Sequence, residues 1–265
     1  MPTTYTHYRF GNDVFKLLPA TIQAQITPYR KLYDIGLHGP DLLFYYKVFS
    51  KNPINQTGFL MHRQPAAVFF QSAQSVMKTM TSPDSGLAYL YGFICHFALD
   101  SCCHPYVEDQ VRSTGITHSE IEAEWDRALM VLDGYDPITY HPAQHLKSNP
   151  LSAQTIAAFF PEIGERRIAA SITSMRCCCN LLVAPGHFKR KLIFTVLKLT
   201  HSYDSIHSLV INYLPNPACR DICTVLDSHY QEALPIAVRL ITGYAPYLLD
   251  HQPLDPGFDR TFGEE

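Results

Sequence analysis

Residues 96–104 read HFALDSCCH, and residues 118–122 read HSEIE. These two runs decide our interpretation of the chain. His96, Asp100 and His104 are four positions apart, so in a helix their side chains lie along one face, offset by about 40° per step. His118 and Glu122 repeat this spacing. The pattern predicts two helices that face each other, with the second folded back antiparallel after a loop of about a dozen residues.

The imidazole and carboxylate groups on these helices are typical ligands of borderline divalent cations such as zinc. A lone His-x-x-x-Asp pair is usually only a hydrogen-bonded pair, but two such pairs and a fifth histidine within about thirty residues rarely arise by chance. The neighbouring apolar residues indicate a buried helix: Leu87, Leu90, Phe93, Ile94 and Phe97. Because five polar groups cannot be buried without partners, the sequence predicts a metal ion between them.

The composition is that of an ordinary globular protein: 265 residues, 46% hydrophobic, 17% charged and a formal net charge of −3. This charge argues against a stable nucleic-acid partner. No apolar run looks long enough to span a membrane, and the first ten residues lack the apolar core of a signal peptide. The eight cysteines include adjacent pairs and a triple at 177–179, which favours reduced thiols over a disulfide framework. We therefore expect a cytoplasmic protein.

The hydrophobic pattern is helical almost throughout, which predicts an all-α fold in a single domain over residues 1–265. We expect the metal ligands within residues 1–133 and a helical buttress over residues 134–265. Helices are expected over 11–18, 20–34, 65–80, 83–104, 118–132, 152–183, 186–203 and 216–248, a turn-rich segment over 51–61 and a polar, irregular tail from His251. Ser82 should cap the helix over 83–104, which Pro105 should end. Thr117 and Glu120 should form a capping box.

Three further candidate ligands precede these helices, namely His7, Asp41 and His62. With them, the sequence resembles the zinc-dependent phospholipase C superfamily, which includes the zinc-dependent fungal and plant single-strand nucleases. The resemblance covers roughly residues 1–130, and the paired His-x-x-x-acid motifs are its most specific part.

This resemblance implies an all-helical fold with two or three zinc ions in a cleft. One ion would be held by Asp41, His62, His96 and Asp100, and a second by His104, His118 and Glu122. A third would be held by His7, Asp100 and the terminal amine. The secreted relatives expose an N-terminal Trp, which this chain lacks. Removal of Met1 would leave Pro2 as the terminus, five residues before His7, so Pro2 is the remaining candidate for that ligand. His38 is the rival of His62, and we interpret it as a structural residue.

The resemblance implies a hydrolase of phosphate esters, a phosphodiesterase of phospholipase C type in which a metal-activated water attacks and Asp41 assists as a base. Its substrate would be a phosphodiester, either a phospholipid head group or a soluble ester. Two alternatives remain open: single-strand nuclease or nucleotidase activity, and a non-catalytic protein whose metal only holds the helices together. A group of three ligands leaves one coordination position open, which favours catalysis. The sequence leaves the oligomeric state undetermined.

Overall fold

A computed structural model describes residues 4–249 and 252–263. Its α-helices are α1 (Thr4–Leu17), α2 (Ala20–Ile26), α3 (Arg30–Gly36), α4 (Pro53–Arg63), α5 (Ala66–Met77), α6 (Pro83–Thr114), α7 (His118–Leu132), α8 (Pro150–Phe159), α9 (Glu165–Leu182), α10 (His187–Leu199), α11 (Tyr203–Ile206) and α12 (Arg220–Leu249). Short 3₁₀ helices cover Thr27–Tyr29, Gly39–Tyr45, His207–Leu209, Pro217–Cys219 and Pro256–Asp259. Within this described part no strand occurs, and the predicted all-α fold is confirmed.

Helix α6 lies at the centre of the protein and packs against α3 on one side and α12 on another. The contact with α3 is made by glycines, since a Cβ added to Gly92 would lie 2.1 Å from the backbone oxygen of Tyr33. Among the described helices, α6 has the length and apolar composition of a membrane span, but 94% of that apolar window is buried inside the protein. Such burial is typical of the core helix of a folded domain.

The prediction that Pro105 ends this helix was wrong, because α6 runs on to Thr114. A proline inside a helix cannot donate a hydrogen bond to the carbonyl four residues earlier, here that of Ser101. Arg260 satisfies this carbonyl instead, with a distance of 2.5 Å from Nη2 to the oxygen. A residue more than 150 positions away therefore stabilises the continuous helix.

The connection between α6 and α7 is correspondingly short, three residues in place of the dozen that we expected. Gly115 ends α6 in the left-handed conformation with φ of 73°, a common helix C-terminus. Thr117 caps α7, since its hydroxyl accepts the backbone N–H of Glu120 at 3.2 Å. The other half of the predicted capping box is absent from this part of the structure, because the Glu120 carboxylate accepts hydrogen bonds from the amides of Asn212 and Asn216.

Two other expectations about local structure were wrong. The segment expected to be turn-rich forms α4, which begins at Asn52 with a reciprocal capping box to Asn55 and with Pro53 in its first turn. Ser82 was expected to cap α6 through its side chain, but its side chain makes no capping hydrogen bond and its backbone oxygen accepts from Ser85 instead.

The C-terminal half differs from the expected three long helices. Residues 152–183 form two helices, α8 and α9, because Pro161 and the left-handed Gly164 (φ 78°) interrupt them. The helix expected over 186–203 corresponds to α10, which ends at Leu199, and the helix expected over 216–248 corresponds to the 3₁₀ helix Pro217–Cys219 followed by α12.

The tail after α12 was expected to be polar and irregular, but its described part carries a 3₁₀ helix and two buried aromatic rings. Phe258 and Phe262 belong to the main hydrophobic core, which extends from Tyr5 to Phe262. The backbone N–H of Phe262 donates to the oxygen of His62 at 3.3 Å, and the two rings lie 5.2 Å apart. The tail thus supports a candidate ligand from behind.

Candidate metal centre

The centre is built around Asp100, which lies on α6 with an exposed fraction of 3%. Its Oδ1 lies 3.2 Å from Nε2 of His7 and 3.6 Å from Nε2 of His104. Its Oδ2 lies 3.0 Å from Nε2 of His96 and 3.9 Å from Nε2 of His62. Both oxygens of one carboxylate therefore face imidazoles from three different helices, as a bridging ligand would.

The first group of ligand atoms that lie within 4.8 Å of one another comprises Asp41, His62 and His96. Asp41 comes from the 3₁₀ helix Gly39–Tyr45, and its Oδ1 lies 2.9 Å from Nε2 of His62. His62 donates Nδ1–H to the backbone oxygen of Gly58 at 2.8 Å, which leaves Nε2 as the nitrogen directed at the group. The backbone passes so close that a Cβ at Gly39 would lie 2.2 Å from the ring of His96.

The second group comprises His104, His118 and Glu122. Nε2 of both histidines faces Oε1 of Glu122, at 3.6 Å for His104 and 3.1 Å for His118. Glu108, one turn further along α6 than His104, accepts a hydrogen bond from Nδ1 of His118 at 2.7 Å. This contact fixes the tautomer of His118 and directs Nε2 into the group.

The third group comprises His7, His96 and Asp100. His7 comes from α1, and its ring stacks on that of His96 with centroids 4.5 Å apart. Pro2, the other predicted ligand of this position, lies outside the described residues. The eight remaining predicted ligands thus form three adjacent groups, of which the first and the third share His96. Asp100, a member of the third group, lies within 4 Å of a histidine of each group.

The carboxylates of the centre are in the ionised state that cation binding requires. Burial alone would raise the pKa of Asp100, but the neighbouring imidazoles, with His104 and His96 foremost, hold it well below its usual value. Burial would likewise raise the pKa of Asp41, which His96 and His62 lower, and that of Glu122, which His118 lowers. Three buried carboxylates therefore stay ionised at neutral pH and need positive charge close by.

His96 provides a direct test of whether a metal fits. Its side chain has no exposed surface, and neither ring nitrogen has a hydrogen-bond partner among the described residues. Nε2 lies within 3.0 Å of Oδ2 of Asp100, but the geometry of that contact is not that of a hydrogen bond. A buried imidazole without a hydrogen bond is costly, and a cation between Nε2 and the carboxylates would remove this cost. The donor set of imidazoles and carboxylates fits zinc.

His38 belongs to none of the three groups, which agrees with its interpretation as a structural residue. Its Nε2 lies 2.7 Å from Nε2 of His145, and its ring lies 6.4 Å from that of His7. Burial lowers the pKa of both, that of His145 to about 3, so the pair is uncharged at neutral pH. Sequence reasoning missed the role of His145, since it lies more than 100 positions from its partner.

Two acidic residues near the centre were also missed. Glu108 lies four positions after His104, a helical spacing that could have identified it. Asp126 lies four positions after Glu122 and accepts hydrogen bonds from the backbone N–H groups of Tyr5 and Thr6. Burial raises its pKa to about 6. This contact joins α7 to the start of α1, which carries His7.

A cavity of about 70 Å³ adjoins the second group, and Glu122 and Asp126 form part of its wall. Tyr45 and Arg190 line it from other parts of the chain. The second group therefore borders on a small cavity.

The comparisons with known proteins agree with this geometry. The family model described as zinc dependent phospholipase C matches residues 6–163, which is more than half of the chain and includes every candidate ligand in the three groups. No curated protein and no solved structure matches. The length of the family match, together with the grouped ligands, shows that this chain belongs to the zinc-dependent phospholipase C family.

Proposed function

We propose that this protein is a zinc-dependent phosphodiesterase of phospholipase C type. Membership of the family supports a phosphoesterase type of function and implies zinc and a phosphoester substrate. The observation that carries the finer proposal is the position of Asp100, whose two oxygens face four imidazoles between three ligand groups. A carboxylate shared in this way is suited to hold adjacent cations.

Asp41, His62 and His96 would hold one ion, and His104, His118 and Glu122 a second. His7, His96 and Asp100 are the described residues available for a third. When bound by these residues, zinc would lower the pKa of a water molecule toward neutrality and offset charge on phosphoryl oxygens.

The protein side chains would orient the metal ions and neutralise their charge. Asp100 and Asp41 supply negative charge at the centre, and their lowered pKa values keep them ionised across the working pH range. The same low pKa makes Asp41 a weak base, so its predicted role in assisting the attacking water stays a prediction. Glu108 holds His118 and the oxygen of Gly58 holds His62, which fixes the ligand directions before any ion binds.

The cavity beside Glu122 favours a catalytic centre over a purely structural one. A structural zinc site is closed by four protein ligands, whereas the second group offers three and borders on open space. The substrate would be a phosphodiester, either a phospholipid head group or a soluble ester.

The test is metal content per chain on the purified protein, beside hydrolysis of bis-p-nitrophenyl phosphate and p-nitrophenylphosphorylcholine, with single-stranded DNA as a third substrate. We expect two or three zinc ions and turnover of at least one small ester that a chelator abolishes. His104→Ala should remove turnover, whereas His229→Ala, which changes a histidine that belongs to none of the three groups, should not. Full metal content without turnover of any substrate would support the structural alternative, and turnover of DNA alone would support the nuclease.

A further inference from the structure

Helix α10 lies beyond the family match and carries a row of exposed apolar side chains. Phe188, Leu192, Val196 and Leu199 have exposed fractions of 84%, 54%, 49% and 76%. At 100° per residue these four positions span about 80° of the helix surface. The opposite side of α10 packs through Ile193 and Leu197 into a small cluster that is separate from the main core.

The charge of this segment differs from that of the chain as a whole. Between residues 184 and 215 the basic residues are Lys189, Arg190, Lys191 and Lys198, and the single acidic residue is Asp204. The whole chain, in contrast, has a net charge of −3. Lys191 and Lys198 are exposed and lie along one edge of the apolar row. We call the four apolar residues with these two lysines the α10 face.

An apolar groove lies beside the α10 face, with a volume of about 470 Å³. Leu192 and Val196 form one wall, and Leu181 and Phe49 contribute from α9 and from the segment after the 3₁₀ helix Gly39–Tyr45. Phe49 has an exposed fraction of 81%. Several exposed apolar side chains from three segments therefore form one continuous surface, which is unusual for a surface that faces only water.

The groove also lies next to the cavity at the metal centre. Tyr45, Leu182 and Leu209 line both spaces, so one side of each residue faces the groove and the other faces the cavity that Glu122 borders. These three residues therefore separate the groove from the cavity that borders the second ligand group.

We propose that the α10 face binds the surface of a bilayer that contains anionic phospholipids. An amphipathic helix with exposed Phe and Leu and with flanking lysines inserts its apolar side at the boundary between head groups and acyl chains, while the lysines attract anionic head groups. The positive charge of this segment is complementary to an anionic bilayer, and it favours such a surface over an uncharged apolar partner. This inference concerns binding and stands without catalysis. If the proposed function also holds, the α10 face would hold the enzyme at a surface that contains phosphodiester substrates.

Sedimentation with vesicles tests the proposal. The probes are vesicles of phosphatidylcholine alone and of phosphatidylcholine mixed in equal parts with phosphatidylserine, each with the metal-loaded full-length protein. We expect binding to the mixed vesicles and at least about tenfold weaker binding to the neutral ones. Phe188→Ser combined with Leu199→Ser should weaken binding to both at least about tenfold. Lys191→Glu combined with Lys198→Glu should weaken binding to the mixed vesicles alone.

The matched controls change exposed residues elsewhere. Leu17→Ser with Leu132→Ser controls for loss of apolar surface, and Lys31→Glu with Lys147→Glu controls for loss of charge; neither pair should alter binding. Hydrolysis of bis-p-nitrophenyl phosphate, a soluble substrate, separates this proposal from the proposed function, since the α10 variants should leave it unchanged.

Two outcomes would overturn the proposal. One is that the wild-type protein sediments with neither kind of vesicle, or that the α10 variants bind the vesicles as the wild type does. The other is a self-association of the protein that the Phe188 and Leu199 changes abolish, which would identify the α10 face as a contact between copies of the chain.

Discussion

Replacing Asp100 with asparagine removes the one carboxylate that the three ligand groups surround. Asparagine has almost the same shape, so the substitution leaves packing around this buried position nearly intact. It removes the negative charge and exchanges one oxygen for an NH₂ group that cannot coordinate a cation. The nearest imidazole nitrogens lie at 3.0 Å on His96 and 3.2 Å on His7, so the change falls at the centre of the site.

The magnitude follows from these distances. A unit positive charge about 3 Å from the carboxylate interacts with it by about 5 kcal/mol at an effective dielectric constant near 20. Loss of only half of this energy would already weaken metal binding roughly 70-fold. We therefore expect Asp100→Asn to lower metal affinity by at least about 100-fold and to abolish detectable hydrolysis of bis-p-nitrophenyl phosphate.

The measurement is zinc per chain by elemental analysis after dialysis against a competing chelator, together with turnover and circular dichroism. Asp34→Asn is the matched control. Asp34 is a buried aspartate of the same half of the chain, but its partner is Arg30 at 2.6 Å and it belongs to none of the ligand groups. The control should retain wild-type metal content and turnover.

The reasoning would be refuted by an Asp100→Asn protein that keeps both its zinc and its turnover. Loss of zinc in the Asp34 control as well would show that general destabilisation, and not ligation, explains the effect.

Three other predictions follow from the same structure. In the metal-free protein, folding raises the pKa of His7 and His62 but lowers that of His38 and His145, so the two histidine pairs have opposite effects on stability as the pH falls below about 6.5. Folding also lowers the pKa of Asp41 and Asp100, whose stabilisation is complete above about pH 4 and lost below it. Urea unfolding of chelated protein should therefore give a free energy of unfolding that falls as the pH drops below about 4. Glu108→Ala should lower zinc affinity about 10- to 100-fold, as measured by competition titration. Glu108→Gln still accepts the hydrogen bond from the imidazole of His118, so its loss of zinc affinity should be far smaller. Arg260→Met should cost about 1 to 3 kcal/mol in urea unfolding, because it leaves the carbonyl before Pro105 without its partner; an unchanged midpoint would contradict this explanation of the continuous helix.

The sequence alone determined the fold class and the ligand spacing. Four-residue spacing places side chains on one helix face whatever the surroundings. The shared face of His96, Asp100 and His104 could therefore be predicted, as could that of the pair on α7. The predicted cytoplasmic location stays a prediction, as do the single-domain boundaries and the roles of the individual site residues. All eight cysteines are free in the structure.

Tertiary structure decided what local pattern could not. Pro105 reads as a helix end because its own neighbours cannot replace the missing hydrogen bond, and only the folded chain brings Arg260 to the carbonyl of Ser101. The tail that contacts His62 and the pairing of His38 with His145 likewise join residues more than 100 positions apart. Spacing within a helix is a property of the backbone and can be predicted, whereas contacts between distant segments depend on how the whole core packs.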